Sequence, residues 1–216
     1  MSDIENLKIK KSDFQNSSFK ELSIIKKFIF WVDIIPTVER NNNAIFARPF
    51  NKKNAIPQQL KDNNFLIKSN FHGYGGNSYQ CLEVNEKIYL VWIDQISKAL
   101  WLQILKVQVS VPENDNGYFL CDTKPRQLTQ AIECNFDASF IVSKNNLLYG
   151  LCEIKNTDYL FSLNLKKTKQ QIRKIKKFDN FVGNLSSNPT VKLFSWIEWK
   201  NNYMPCEKNH LFFCNY

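Results

Sequence analysis

No Gly-x-Ser-x-Gly pentapeptide occurs in the 216 residues, and there are only two histidines, His72 and His210. The first absence excludes the nucleophile elbow of an α/β-hydrolase. The nearest stretch, "GNLSS" (183–187), has its serine misplaced and no closing glycine. The scarcity of histidine leaves few imidazole bases. Neither histidine has a serine or cysteine nucleophile beside it in a recognisable motif, so a structural role is expected for both. Six cysteines, at 81, 121, 134, 152, 206 and 214, include no C-x-x-C pair. Zinc and dithiol redox motifs are therefore not expected, and scattered thiols in a reduced compartment are. Only six glycines are present, three of them in "NFHGYGGNSYQC" (70–81). "GYGG" lacks the G-x-G-x-x-G spacing and opens no helix, which argues against a dinucleotide site. No cofactor and no metal are expected.

Arginine is also scarce: 4 against 25 lysines, in a chain of formal charge +9 with 26 asparagines. Bidentate reading of phosphate or guanine leans on arginine. A lysine- and asparagine-rich composition points instead to coding bias, so the charge is weak grounds for nucleic-acid binding. Long apolar runs are missing too. Phe28 to Ile35 is the longest and contains Asp33, whereas a membrane helix needs about 20 residues. The start, "MSDIENLKIKKSD", is too polar for a secretory signal. These features lead to the expectation of a soluble cytoplasmic protein with no membrane partner.

Aromatic and β-branched residues are plentiful, with 17 Phe, 8 Tyr and 5 Trp, and they favour strands. They recur in a pattern. "FIFWVD" (28–33), "IYLVWID" (88–94), "LYGLCE" (148–153) and "LFSWIE" (193–198) are apolar runs ending in Asp33, Asp94, Glu153 and Glu198. The acids lie 61, 59 and 45 residues apart. Each acid is expected to accept hydrogen bonds from turn amides. A second apolar stretch follows each run: "AIFAR", "ALWLQI", "YLFSLNL" and "HLFFCNY". Ahead of the first three runs stand "FKELSII", "NSYQCLEV" and "ASFIVS". "IPQQL" (56–60) and "KPRQL" (124–128) close the first two units, and "KQQIRKI" (169–175) is the candidate close of the third. Four short strands per unit of 45–60 residues are the mark of a propeller blade. The expected fold is all-β: a partial, open β-propeller of about four four-stranded blades, the last incomplete. It would occupy residues 19–216, after a polar segment at 1–18. Trp31, Trp92, Trp101, Phe161, Trp196 and Trp199 are expected to fill the space between blades. Open sheet edges would favour self-association and low stability.

Three segments resemble the N-terminal β-propeller of the prolyl oligopeptidase family of serine peptidases, in its acylaminoacyl-peptidase and dipeptidyl-peptidase-like branch. "FWVDIIPTVER" (30–40) is similar to the family's W-x-x-x-R-P-x-E-x-G-R and keeps Trp31, Pro36, Glu39 and Arg40. "SNFHGYGGNSY" (69–79) is similar to R-x-H-E-Y-G-G-G-x-Y and keeps His72, Tyr74, Gly75, Gly76 and Tyr79. "FSWIEWKNNYMPCEKNHLF" (194–212) is similar to A-W-x-x-W-D-H-P-x-M-P-W-D-x-x-x-L and keeps Trp196, Trp199, Met204, Pro205 and Leu211. The chain departs from the family at Ile35, Asn70, Gly73, Lys200, Asn201 and Cys206, where charged or bulky residues are replaced.

The resemblance implies a domain that covers an active site and selects small peptides, with the catalytic triad on a separate hydrolase domain. This chain would then be non-catalytic by itself, a truncated relative whose partners are peptides or a hydrolase domain on another chain. The basic run "LKKTKQQIRKIKK" (165–177) leaves a second reading open: a stand-alone binding module for a protein or an anionic partner. It lacks the interleaved aromatics that stack bases. "NFHGYGGNSYQC" itself reads as the lead-in to the second blade, with glycines allowing a tight turn.

Overall fold

A computed structural model describes residues 20–36, 41–50, 55–60, 65–84, 86–108, 118–121, 123–143, 145–188, 193–200 and 202–215. Glu39, Arg40 and the polar segment 1–18 lie outside the described residues. The chain folds as four antiparallel sheets in sequence order. The first contains β1 (Lys20–Ile25), β2 (Phe28–Pro36), β3 (Asn41–Pro49) and β4 (Gln58–Gln59). The second contains β5 (Tyr79–Val84), β6 (Lys87–Asp94), β7 (Ala99–Gln108) and β8 (Tyr118–Cys121), with β9 (Arg126–Gln127) also on β7. The third contains β10 (Asn135–Val142), β11 (Leu147–Ile154), β12 (Thr157–Asn164) and β13 (Arg173–Lys177). The fourth has three strands among the described residues: β14 (Phe181–Asn188), β15 (Leu193–Trp199) and β16 (His210–Asn215).

Apart from β9, which pairs with β7, each sheet is a meander whose strands pair with their neighbours in the chain. Tight turns make this possible: Lys26, Glu86, Lys98 and Asn146 take positive φ between successive strands. The first strands of successive sheets pack together, β1 on β5, β5 on β10 and β10 on β14. Among the described residues, three apolar cores lie between the four sheets. Phe30, Ile45, Leu90 and Trp92 fill the first, with Trp101 against them. Val91, Phe136, Leu148 and Phe161 fill the second. Phe71, Leu151, Val182 and Trp196 fill the third. Four sheets separated by three cores form an open propeller arc, since a closed ring has as many interfaces as blades. Burying such side chains contributes about 1.5–3 kcal/mol each. Two of the expected fillers sit elsewhere. Trp31 is buried against Phe46, its cross-strand partner on β3, and Trp199 packs on the rings of His72 and Phe181.

β14 was not expected as a strand. It carries Gly183, Asn184 (φ 53°), Ser186 and Ser187, and its register with β15 shifts between Gly183 and Ser186. "GNLSS" is thus a bulged strand and not a strand-to-helix elbow. Gly183 lets the Trp199 indole pack close: a Cβ there would stand 3.2 Å from it. Among the described residues, no helix is long and apolar enough to cross a membrane.

Candidate functional site: a histidine loop laid across the blades

Residues 65–78 lead from the first sheet into the second, yet their side chains and backbone engage all four. Asn43 Nδ2 on β3 donates to the carbonyl of Ile67 (2.9 Å), and the Leu66 amide donates to Asp94 Oδ1 (3.0 Å). Ser69 Oγ donates to the Phe136 carbonyl on β10 (2.6 Å) and accepts from the amides of Phe71 and Gly76. This one hydroxyl folds the loop back on itself. A single 3-10 turn follows at Phe71–Gly73, with His72 in the left-handed region (φ 54°, ψ 21°).

That backbone conformation aims the His72 ring into a buried slot. Phe71, Phe181 and Trp199 pack on it with centroids at 3.8, 4.6 and 5.5 Å. His72 Nε2 meets Asp158 Oδ2 on β12 at 2.7 Å, and both side chains are at most 2% exposed. The same Asp158 oxygen accepts the Val182 amide of β14 (2.9 Å). The His72 amide donates to Glu153 Oε2 on β11 (3.1 Å), which also accepts Asn135 Nδ2. A carboxylate acceptor requires the proton on Nε2. That leaves Nδ1 facing the Tyr74 hydroxyl at 3.4 Å. Burial first, then the nearby Asp158 and Glu153 charges, pushes the Tyr74 phenol up, so Tyr74 stays a neutral hydroxyl. The pair has the base and orienting carboxylate of a triad, with no serine or cysteine bonded to the imidazole among the described residues.

The glycines divide the work. Gly73 (φ 78°) and Gly75 (φ 96°) occupy left-handed backbone positions, whereas Gly76 is needed for space. A Cβ at Gly76 would sit 2.6 Å from Asp137 Oδ1, the oxygen that accepts the Asn77 amide at 2.9 Å. Gly76→Ala is expected to cost about 1–3 kcal/mol by overpacking. Gly73→Ala, with no neighbour within 4 Å, should cost only the backbone strain of about 1–2 kcal/mol. Urea midpoints test the order; equal losses would contradict the steric account of Gly76.

Two inner-strand carboxyls bridge neighbouring sheets. Glu21 on β1 accepts the Ser78 amide and hydroxyl, and Asp137 on β10 accepts the Asn77 amide. Burial is the largest influence on both and raises each above its ordinary value. The folded state therefore holds these protons more tightly than the unfolded chain does. Their contribution to stability is complete below the unfolded value of about 4 and is lost as pH rises through the raised folded values. Asp137→Asn should lose less stability than the wild type between pH 4.5 and neutral, read as the change in urea midpoint. An equal or larger loss would refute the assignment.

A cleft of about 210 Å³ opens beside the loop. His72, Tyr74, Gly75, Gly76, Trp199 and Pro205 all line it. Two of the sequence motifs, more than 120 positions apart by the 72 and 199 numbering, thus meet in one place. Other motif residues do not. Trp196 lies in the third core, Met204 is exposed at 52%, Trp31 is in the first sheet, and Pro36 ends β2. The run-ending acids take different partners. Asp94 caps its turn through the amides of Ile96 and Ser97, while Asp33 accepts the next amide, Ile34. Glu198 accepts from Trp196 Nε1 and Asn180 Nδ2. His210 lies on the exposed strand β16.

The basic run ends in β13, every residue of which is exposed. Aromatics missing from its sequence come from its surroundings: Lys174 Nζ lies 4.2 Å over the ring of Tyr159 on β12, and Lys176 lies over Phe178, just after β13, and Trp196 on β15. The lysines occupy those ring faces, which leaves them closed to stacking bases. Among the described residues no group of three or more His, Cys, Asp and Glu could hold a metal ion.

No family model matches the chain, and no curated protein matches it. Among solved structures, a puromycin-hydrolysing peptidase of Mycobacterium tuberculosis superposes with a TM-score of 0.69 over 91% of this chain, at 14% identity. The chain spans 30% of the length of that peptidase chain. Likeness at this identity establishes a shared propeller fold.

Proposed function

We propose that the chain is the substrate-gating propeller of a prolyl-oligopeptidase-like serine peptidase, working with a hydrolase domain that supplies the nucleophile. The observation that carries this reading is the superposition of nearly the whole chain on part of a peptidase. It is supported by the meeting of His72, Tyr74, Gly75, Gly76, Trp199 and Pro205, all family-motif positions, around one cleft. In this role the chain itself does no acyl chemistry: its one buried imidazole is committed to Asp158. The blades shape and restrict the approach of short peptides to a triad held elsewhere.

A serine-directed fluorophosphonate probe should leave the purified chain unlabelled, and the chain should cleave no peptide. Co-expressed with an α/β-hydrolase encoded beside it, the chain should copurify and confine hydrolysis to short peptides. Labelling of the chain alone would overturn the non-catalytic role. Absence of a G-x-S-x-G hydrolase sequence near its gene would overturn the peptidase role. A second reading, a binding module for an anionic partner, draws support from the full exposure of Arg173, Lys174, Lys176 and Lys177 on β13. It requires affinity that falls with salt and persists without any hydrolase.

A further inference from the structure

Cys134 and Cys152 stand 18 positions apart in sequence, a spacing that carries no motif. The fold brings them together. In the β10–β11 pairing Phe136 lies opposite Cys152. Side chains two residues apart share a face of a strand. Cys134 precedes Phe136 by two residues and therefore approaches the face that carries Cys152. Both side chains pack in the core between the second and third sheets, both are free, and the register sets them diagonally across the β10–β11 pair on one face. Their surroundings differ. Cys152 is fully buried in the middle of β11. Cys134 lies just before β10, is partly exposed, and forms part of the wall of a cleft of about 350 Å³ between the two sheets.

We propose that Cys134 and Cys152 are a hydroperoxide-oxidisable thiol pair, with Cys134 meeting the oxidant from the cleft and Cys152 resolving it into a disulfide. In the first step the Cys134 thiolate attacks one oxygen of a hydroperoxide and the O–O bond breaks. The other oxygen leaves and takes a proton, as water from hydrogen peroxide or as an alcohol from an organic peroxide. Cys134 is oxidised by two electrons to a sulfenic acid. The Cys152 sulfur then attacks the Cys134 sulfur, the S–O bond breaks, and water departs with the Cys152 proton. Two thiols and one hydrogen peroxide give one disulfide and two waters.

The arrangement fits each step. The sulfur that must meet the oxidant is the one beside the cleft, and the sulfur that must not escape is the buried one. A disulfide needs the sulfurs at about 2.05 Å. Cys134 can close that gap because it lies outside the strand, while Cys152 is held by pairing on both sides of β11. The neighbouring Cys152 thiol, and then burial, pushes the Cys134 thiol up. The reaction should therefore be slow at neutral pH and faster in mild alkali, because the thiolate is the nucleophile.

The test uses the full chain carrying Cys206→Ser and Cys214→Ser, which removes two exposed thiols. After hydrogen peroxide at pH 7 and pH 8.5, the protein is unfolded, alkylated with N-ethylmaleimide and digested. The expected product is a Cys134–Cys152 cross-linked peptide pair, about 2 Da lighter than the two thiol peptides combined. It should form severalfold faster at pH 8.5 and revert with dithiothreitol. No substitution at either site is required, so misfolded variants cannot confuse the reading. Full alkylation of both cysteines after peroxide, a sulfinic acid at Cys134 without the cross-link, or Cys134 bridged to another cysteine would each overturn the proposal.

Discussion

His72→Ala is expected to destabilise the fold by about 3–5 kcal/mol, the cost of leaving a buried carboxylate without its hydrogen-bonded partner. The Asp158 carboxylate would keep only the Val182 amide, in a site where its side chain is 2% exposed. For a chain of this size that corresponds to a fall in Tm of roughly 10 °C. The loss should spread through the third interface, because the ring also fills the space between Phe71, Phe181 and Trp199. Asp158 provides the contrast that isolates the electrostatics. Asp158→Ala removes the acceptor of both donors at once and should equal or exceed the histidine loss. Asp158→Asn keeps an oxygen for His72 Nε2 and the Val182 amide, and places an amide where Oδ1 now has no hydrogen-bond partner among the described residues. It should cost markedly less than Asp158→Ala. Tryptophan fluorescence in urea measures all three. A His72→Ala protein as stable as the wild type would show that the loop is held by Ser69 and the glycines instead.

The second large effect concerns association. β13 and β16 are both fully exposed, yet they are defended differently. β13 reads RKIKK, four cations in five residues, and lysine on an edge discourages pairing with other chains. β16 reads HLFFCN and carries no Lys, Arg, Asp or Glu, with Leu211 and Phe213 exposed at 65% and 66%. Among the described residues its free edge carries no fourth strand. We propose that β16 pairs antiparallel with β16 of a second copy, a self-complementary contact of the kind two-fold dimers use. Sedimentation velocity at tens of micromolar should show dimers or larger species. Leu211→Lys with Phe213→Lys should return the chain to monomers with little change in the urea midpoint, because neither side chain belongs to a core. A monomeric wild type across that concentration range would defeat the prediction.

The sequence signals that worked were those with two-residue or unit-length periodicity. β2, β6, β11 and β15 are apolar because they lie in the middle of their sheets, and their terminal acids make the repeat visible. "IPQQL" and "KPRQL" identified β4 and β9, whose few residues would otherwise pass for loop. β14 was missed because glycine, asparagine and serine serve its bulge and its contact with Trp199, and none of them advertises a strand. "NFHGYGGNSYQC" was legible as a glycine-shaped lead-in to the second sheet, but its reach across the others was not. The lost information is the partner. Asp158 is a single acid among ordinary residues, 86 positions from His72. One local sign was available: Asp158 shares a strand face with Leu160 and Ser162, all buried, and a carboxylate facing a core needs a partner. Asp137 gives the same sign on β10, between buried Phe136 and Ala138.

The loop also sets an order of events in time. A propeller whose blades touched only their neighbours could consolidate from one end as it left the ribosome. Here the second blade is introduced by a segment whose partners have not yet been made. At about 5–20 residues per second, translation takes on the order of ten seconds to go from His72 to Asp158. Trp199 arrives later still. Through that interval Phe71 and the imidazole have no slot to occupy, and the first two blades must persist without their clasp. Completion of the fourth sheet is thus the event that locks the second, and chaperone demand should peak before Trp199 emerges.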